Sequence, residues 1–598
     1  MLAAYTGAQV RAAEEPLLRA GEGDALMQRA AHGLAGAVAG LLRQRRGRVY
    51  GARVLVLAGP GNNGGDALFA AAALARRGAR TTAVLTGART HPAALAAFVA
   101  AGGRTIELAD DGATEQALAE AGLADAIVDG ILGTGASGGL REPAAFLVRQ
   151  LEGLLRGLPG GSGGRAAGEP AGATGHPAGA TGHPAGATGH PAVAGGQPAG
   201  ATGHPAVAGG QPAGAAGEPA GKASRLTDRQ GSRPGRPAVV ACDLPSGVDA
   251  DTGQVSGPLL TADLTVTFGA AKTGLLTPPG EGYAGTIQVI DIGLADRLPV
   301  PEVRRLEAAD LAALLPAPAR TDQKYSRGLL GIVAGSAQYP GAAQLSCAGA
   351  LACGVGMIRY LGPASVAALI HAQSPEVVCS EGTVEESRVQ AWLVGPGLDG
   401  EDQRQRARDA FASGLPVVAD AGALAVLPDS VPASVILTPH AGELATLLNA
   451  RGIPVQREQV EADGWAYARR AAELTGATVL LKGATTVVTA PGGATFSQSE
   501  GTPWLATAGS GDTLAGILGA LAAALADDVD RFAGLGIAAE DRWAALAAAA
   551  ASLHGRAARQ ASGGGPLRAL DISAAVAAVW RNLTAVPSLV HAGTARRL

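Results

Sequence analysis

Between residues 159 and 237 a proline returns at every seventh position, at 170, 177, 184, 191, 198, 205, 212 and 219, in units such as Pro-Ala-Gly-Ala-Thr-Gly-His. No feature constrains the fold more. A proline in each repeat forbids the helix that a heptad otherwise suggests. No apolar side chain in the repeats is larger than valine, so no core can offset the chain entropy. His176, His183, His190 and His204 recur within the repeats and could be read as a metal tract. A solvated, flexible insertion is the reading we adopt. The 598 residues are also too many for one core, so two or three domains are expected.

On both sides of the insertion, short apolar runs alternate with helical patterns. Residues 6–46 read as an amphipathic helix with a basic end. Strands are expected at Val54–Ala58, Thr81–Leu85, Ala126–Val128, Ala238–Cys242, Leu264–Phe268 and Ile287–Ile290. After a proline-rich junction (Pro299, Pro301, Pro316, Pro318) the rhythm restarts at Gly331–Ala334. It continues with Ala391–Val394, Pro416–Ala419, Val435–Leu437, Val479–Leu481 and Thr486–Thr489. Strand, helix, strand at this spacing predicts parallel, doubly wound α/β sheets. The expected domains are 1–298, carrying the insertion, and 299–598.

Composition excludes more than it assigns. A formal net charge of −4 gives no reason to expect a nucleic-acid or membrane-surface partner. Cys242, Cys347, Cys353 and Cys379 show neither zinc spacing nor a disulfide framework, which suits a reducing cytoplasm. The N-terminus lacks the basic and apolar regions of a signal peptide. The run from Leu514 to Ala526 is too short to cross a bilayer and reads as a core helix.

Chemistry-bearing residues collect at strand ends and helix starts. In Gly509-Ser510-Gly511-Asp512, three small residues run into an apolar helix. Their N–H groups and the helix dipole can hold an anion. Asp512 beside them could take a proton from a hydroxyl that is being phosphorylated; an ordinary N-cap is the alternative. Gly59, Gly61 and Gly64 fit G-x-G-x-x-G, yet the next strand ends in Thr86-Gly87 without the acid a ribose needs. The loop is therefore expected to cradle a phosphate or dinucleotide differently, with Asn62, Asn63 and Asp66 facing the ligand. Asp129 to Gly135 and Asp243 to Asp249 offer carboxylate, amide and hydroxyl oxygens, which suit K⁺, Mg²⁺ or Ca²⁺ better than zinc. Lys482 beside Gly483 suits a nucleotide phosphate. His440, between Pro439 and Gly442, reads as a ligand contact or a helix cap. No G-x-x-x-x-G-K-[ST] loop occurs, which argues against a P-loop enzyme.

These motifs, G-x-G-N-N-G-G-D, D-G-x-x-G-T-G and D-x-P-S-G-x-D in order, followed by the Gly-x-Gly-Asp turn, resemble a known family. Residues 1–295 resemble NAD(P)H-hydrate epimerase domains, and 300–598 resemble the ribokinase-like NAD(P)H-hydrate dehydratase domains. The fold class expected is an N-terminal Rossmann-like doubly wound domain, a C-terminal ribokinase-like α/β domain, and a disordered repeat insertion. The resemblance implies epimerisation of R and S hydrates (NADHX and NADPHX), and ADP-dependent dehydration of the S form to NAD(P)H with release of AMP and phosphate. It implies hydrate contacts from Asn62, Asn63, Gly64, Gly65 and Asp66. Gly133, Thr134, Gly135, Ala136, Ser137, Gly138 and Gly139 follow, with Asp243 beside the reactive ring as the acid–base group. K⁺ would be held by Asn63, Asp129 and Ser246. In the second half it implies Ala342, Gly397, His440 and Asp512 on the hydrate, with Asp512 catalytic. Lys482, Gly483, Ala484, Thr485, Thr486 and Gly511 would hold the adenine nucleotide, with Mg²⁺. Small-molecule substrates, no nucleic acid, no membrane and a homo-oligomer complete the expectation. Ala67 departs from the family, which usually has glycine there.

Two other readings stay open. A ribokinase-type kinase for a small molecule or vitamin precursor would accumulate a phosphorylated product rather than free phosphate. A binding or scaffold module in the first half would be indifferent to changes around Asp243.

Overall fold

A computed structural model describes residues 1–87, 89–109, 111–136, 138–157 and 235–585. Ser137 and all but the last three residues of the insertion lie outside them. Among the described residues the first half forms a seven-stranded sheet, parallel throughout. Its order is Arg104–Glu107, Arg80–Leu85, Arg53–Ala58, Ala126–Gly130, Ala238–Cys242, Leu264–Phe268, Thr286–Ile290. Along Arg53–Ala58 the side chains alternate between two cores. Val54 and Val56 pack toward the helices Gly23–Arg46 and Asn62–Arg76, and Leu55 and Leu57 toward Ala144–Gly157 on the other face. A strand buried on both faces reads as an unbroken apolar run, as this one does. The order reverses between Arg53–Ala58 and Ala126–Gly130, and ligands of open α/β sheets bind at that crevice. Asn62, the first residue of the helix after one of these strands, and Asp129, next to last in the other strand, both lie at that edge.

The second sheet has twelve strands among the described residues. Val378–Ser380, Met357–Leu361, Leu329–Val333, Ala391–Val394, Val417–Ala419, Val435–Leu437 and Thr478–Leu481 run parallel in that order. Thr486–Thr489 and Thr495–Gln498 then turn antiparallel. The sheet does not end there. Val303–Arg305 pairs with Thr495–Gln498, Leu2–Tyr5 pairs with Val303–Arg305, and Ala271–Lys272 pairs with Leu2–Tyr5. Two strands from the first half thus extend the sheet of the second.

Two expectations need correction. Residues 6–46 are two helices, Gly7–Arg19 and Gly23–Arg46, broken at Ala20–Glu22. The helix after Gly59 begins at Asn62, so Asn62 to Asp66 are its first turn rather than a free loop. The Gly-Ser-Gly-Asp turn likewise opens the buried helix Ser510–Leu525. No helix among the described residues is long and apolar enough to cross a membrane.

Candidate active sites

In the first half a cavity of about 480 Å³ opens at the switch point. Asn62, Asn63, Asp66, Gly133, Thr134, Gly135, Ala136 and Asp243 line it, all expected site residues. Gly138 lines a smaller neighbouring cavity with Asp249. Gly139 is spent on packing, since a Cβ there would fall 2.7 Å from the Ser256 carbonyl oxygen. Gly64 and Gly65 do not line the large cavity. At Gly64 a Cβ would meet the Gly59 carbonyl oxygen at 2.1 Å, and at Gly65 it would press on the His91 ring. The helix Asn62–Arg76 has no side-chain N-cap, so its first N–H groups are free to point at an anion.

Asp243 closes the cavity floor in an unusual backbone state, with φ +68°. Its Oδ1 accepts from Lys272 Nζ and from Thr267 Oγ1 at 3.1 Å; its Oδ2 accepts from the Thr134 backbone N–H at 3.1 Å and from the Thr134 hydroxyl. Burial would raise this carboxyl, but the Lys272 charge and these hydrogen bonds outweigh it and hold it below its usual range. Lys272, 2% exposed, also donates to Phe268 O at 3.1 Å. Asp66 is pushed well above the carboxylate range, first by burial and then by Asp243 and Glu14.

Asp129 and Ser246 sit one layer deeper. Asp129 accepts from the Ser246 hydroxyl at 2.7 Å and the Ser246 N–H at 2.9 Å. Asn63 Nδ2 donates to Leu132 O at 2.8 Å, and the Leu132 N–H donates to Ser246 Oγ at 2.9 Å. Asn63 and Ser246 thus meet at Leu132, and Asp129 joins them through Ser246. Burial raises Asp129 despite these bonds, and no basic side chain pairs with it among the described residues.

In the second half Lys482 ties the expected residues together. Its Nζ lies 2.7 Å from Asp420 Oδ1 and 3.7 Å from Glu443 Oε2, and a Cβ on Gly511 would sit 3.4 Å from it. His440 and Lys482 form a backbone bridge, with Lys482 N–H donating to Pro439 O at 2.8 Å. Asp512 is in the first turn of a helix whose N-cap, Gly509, has φ +86° and no side-chain cap. Burial, then the Asp420 and Glu443 carboxylates, push its carboxyl up to about 6, while Lys482 pulls the other way. Lys482 is kept charged because Asp420 and Glu443 outweigh its burial. His440 does cap its helix, with Nδ1 accepting from the Gly442 N–H at 3.0 Å and the Glu443 N–H at 3.3 Å. Gly397, at φ +63°, brings its backbone against Ala342, where a Cβ would lie 2.7 Å from the Ala342 Cβ. Thr485 is buried, with its hydroxyl 2.8 Å from Glu281 Oε2 of the first half.

Sequence reasoning missed Glu14, Arg11 and Lys272 of the first cavity, and Asp420 of the second cluster. Glu14 and Arg11 look like solvated charges on an amphipathic helix, and nothing local marks them. Asp420 directly follows a strand, a place where the same reasoning could have found it.

Two family models match. One, described as NAD(P)H-hydrate dehydratase, covers residues 330–571; the other, described as YjeF-related protein N-terminus, covers 23–154 and 213–274. The chain is 37% identical over 530 residues to the bifunctional NAD(P)H-hydrate repair enzyme Nnr of Mycobacterium tuberculosis, spanning 87% of this chain and 89% of that one. It is 37% identical over 531 residues to the enzyme of the same description from Mycobacterium leprae, with the same coverage. The crystal structure of an ADP/ATP-dependent NAD(P)H-hydrate dehydratase from Bacillus subtilis, co-crystallized with ATP/Mg²⁺, superposes with TM-score 0.40 at 28% identity. It covers 47% of this chain and 99% of its own.

Proposed function

The chain belongs to the bifunctional NAD(P)H-hydrate repair enzymes, and on that premise we propose how its two sites divide the work. It repairs hydrated NAD(P)H as an epimerase joined to a nucleotide-dependent dehydratase. The first cavity exchanges the R and S hydrates, and the Lys482–Asp512 cluster dehydrates the S form with ADP as co-substrate, giving NAD(P)H, AMP and phosphate. The observation that carries this reading is Asp512: a carboxylate raised to about 6 at an uncapped helix start, beside the half-buried Lys482. A base with a pKa near neutrality, next to an anion site, suits proton removal during phosphoryl transfer.

In the second site Asp512 takes the proton of the C6 hydroxyl as that oxygen attacks the terminal phosphoryl group. N–H groups of Gly509 to Gly511 and the Lys482 ammonium face the charge that develops. Phosphate then leaves with its bonding pair, C5 gives up a proton, and the ring regains its double bond. Ala342, Gly397 and His440 border the hydrate, and Lys482 to Thr486 with Gly511 border the nucleotide. Among the described residues no three Asp, Glu, His or Cys converge as a metal-holding set. Mg²⁺ therefore fits as a partner of the nucleotide phosphates, whose charge it would neutralise.

In the first site the helix start at Asn62 faces the pyrophosphate, and Asp243 stands against the hydrated ring. The donors expected for K⁺ fit it: Asn63, Asp129 and Ser246 offer hard oxygens, and Asp129 is a buried carboxylate without a basic partner among the described residues. A bound K⁺ would balance that charge. A cytoplasmic setting suits four free cysteines, and the homo-oligomer belongs to the same reading, with sedimentation as its test.

Asp512→Asn separates the two activities. The variant is expected to keep R-to-S exchange while nucleotide-dependent recovery of NAD(P)H absorbance falls about 10²–10⁴-fold. Recovery near the wild-type rate would remove Asp512 from its role. A kinase reading would instead require a phosphorylated product to accumulate, and phosphate release decides between them.

A further inference from the structure

We propose that Asp66, rather than Asp243, exchanges protons with the hydrated ring in the first cavity, while the Asp243–Lys272 pair stands beside it as a fixed charge. The inference rests on the epimerase reading above and deepens it.

Asp243 has little left to offer a substrate. Four donors, from Lys272, Thr267 and twice from Thr134, occupy its two oxygens. Lys272 is itself spent on Asp243, the Thr267 hydroxyl at 3.0 Å and the Phe268 carbonyl. To take a proton, Asp243 would have to give up bonds that hold both the strained φ of its own backbone and the Thr134 loop. Asp66 is the opposite case. It lines the same cavity from the first turn of the helix Asn62–Arg76, is 8% exposed, and its Oδ1 is buried without a hydrogen-bond partner among the described residues. A buried carboxyl oxygen left unpaired costs free energy unless a ligand meets it.

The surroundings keep these two acids in different states. Glu14 and Arg11 face the cavity from the helix Gly7–Arg19, Asp243 from a strand end and Lys272 from its short strand, while the Cys242 thiol is buried close to Asp66 and Asp243. On the flank, the His91 ring packs against Gly65. Burial with Asp243 and Glu14 nearby favours a protonated Asp66, and Lys272 favours an ionised Asp243. Two carboxyls driven apart in this way divide proton transfer from charge stabilisation.

The hydrate carries its hydroxyl on C6, next to the ring nitrogen N1. Protonated Asp66 gives its proton to N1 as the N1–C6 bond breaks and its electron pair goes to nitrogen. The O–H pair of the C6 hydroxyl becomes the second C6=O bond, and that proton passes to the Asp66 carboxylate. The open-chain aldehyde turns about C5–C6. The same transfers in reverse close the ring on the other face of C6, and Asp66 ends as it began. No oxidant, reductant or further reactant is needed.

The test uses the full chain and measures R–S exchange by separating the two hydrates. Asp66→Asn is expected to slow exchange about 10²–10⁴-fold, with ADP-dependent dehydration of S hydrate in the same sample unchanged as proof of folding. Exchange within about threefold of wild type, on that scale, overturns the proposal, as does loss of exchange in Asp243→Asn alone. The wild-type pH profile is a second measurement, free of any folding question. Because the protonated acid is required, exchange should fall as pH rises through the raised pKa of Asp66, and a rate that climbs with pH overturns the proposal. A wild-type protein that dehydrates S but never exchanges R and S would instead sink the epimerase reading beneath it.

Discussion

At the scale of single residues, the two sites use burial for opposite ends. Burial raises Asp512, Asp420 and Glu443 add to it, and Lys482 holds the rise to about 6, so it is ionised at neutral pH and ready to accept a proton. A base must be deprotonated to work, so dehydration should weaken as pH falls through about 6, with kcat following one titration. A kcat that stays flat from neutral pH to well below that value would exclude Asp512 as the base. Asp129 is buried with no basic partner among the described residues, and replacing K⁺ by choline should slow R–S exchange and lower the melting temperature. Asp129→Asn should remove the difference between the two salts; a variant that still distinguishes them would place the cation elsewhere. Much of this was legible, because glycine turns and carboxylates at strand ends advertise ligand chemistry. Lys272 was not. It stands in the Gly269-Ala270-Ala271-Lys272 run, where a surface lysine looks the same, and only the fold brings it to Asp243.

At the scale of elements, glycines set the distance between the two helices that frame the second site. Pro340–Ala352 and Ser510–Leu525 pack side by side. A Cβ on Gly349 would lie 2.4 Å from the Thr513 carbonyl oxygen, and one on Gly516 would lie 2.1 Å from the Ser346 carbonyl oxygen. Gly349→Ala should therefore cost about 1–3 kcal/mol in stability and depress dehydration more than R–S exchange, measured by denaturant unfolding and the two assays. An unchanged unfolding midpoint would mean that the helices part without strain. The central strands of both sheets were readable as apolar runs. Leu2–Tyr5, Arg104–Glu107, Met357–Leu361 and Thr495–Gln498 were not read. The first two lie at sheet margins or between the halves, where partners rather than pattern decide the strand. The first turn of Asn62–Arg76 passed for a loop because two asparagines and two glycines are poor helix formers in isolation. The close packing of Gly64 against Gly59 holds them in the helix.

At the scale of the whole molecule, the halves are joined by more than a linker. Leu2–Tyr5 and Ala271–Lys272 extend the second sheet, so the strand that bears Lys272 of the first cavity belongs to the sheet of the second half. Glu281 of the first half takes the Thr485 hydroxyl at 2.8 Å and pairs with Arg305 at 3.2 Å. Glu281→Ala should free the segment expected to hold the nucleotide and weaken ADP binding about fivefold, or ~1 kcal/mol, by calorimetry. Equal affinity would show that this contact is only structural. None of this contact was visible in the chain, since its partners are far apart in sequence. As a bifunctional repair enzyme, one protein converts R hydrate to S and then dehydrates it. The most direct measurement incubates pure protein with an equal mixture of R and S hydrates, with and without ADP, and follows NAD(P)H absorbance to its end. The account predicts recovery of both epimers with ADP and none without it; recovery that stops at the S half, or proceeds without nucleotide, would contradict it.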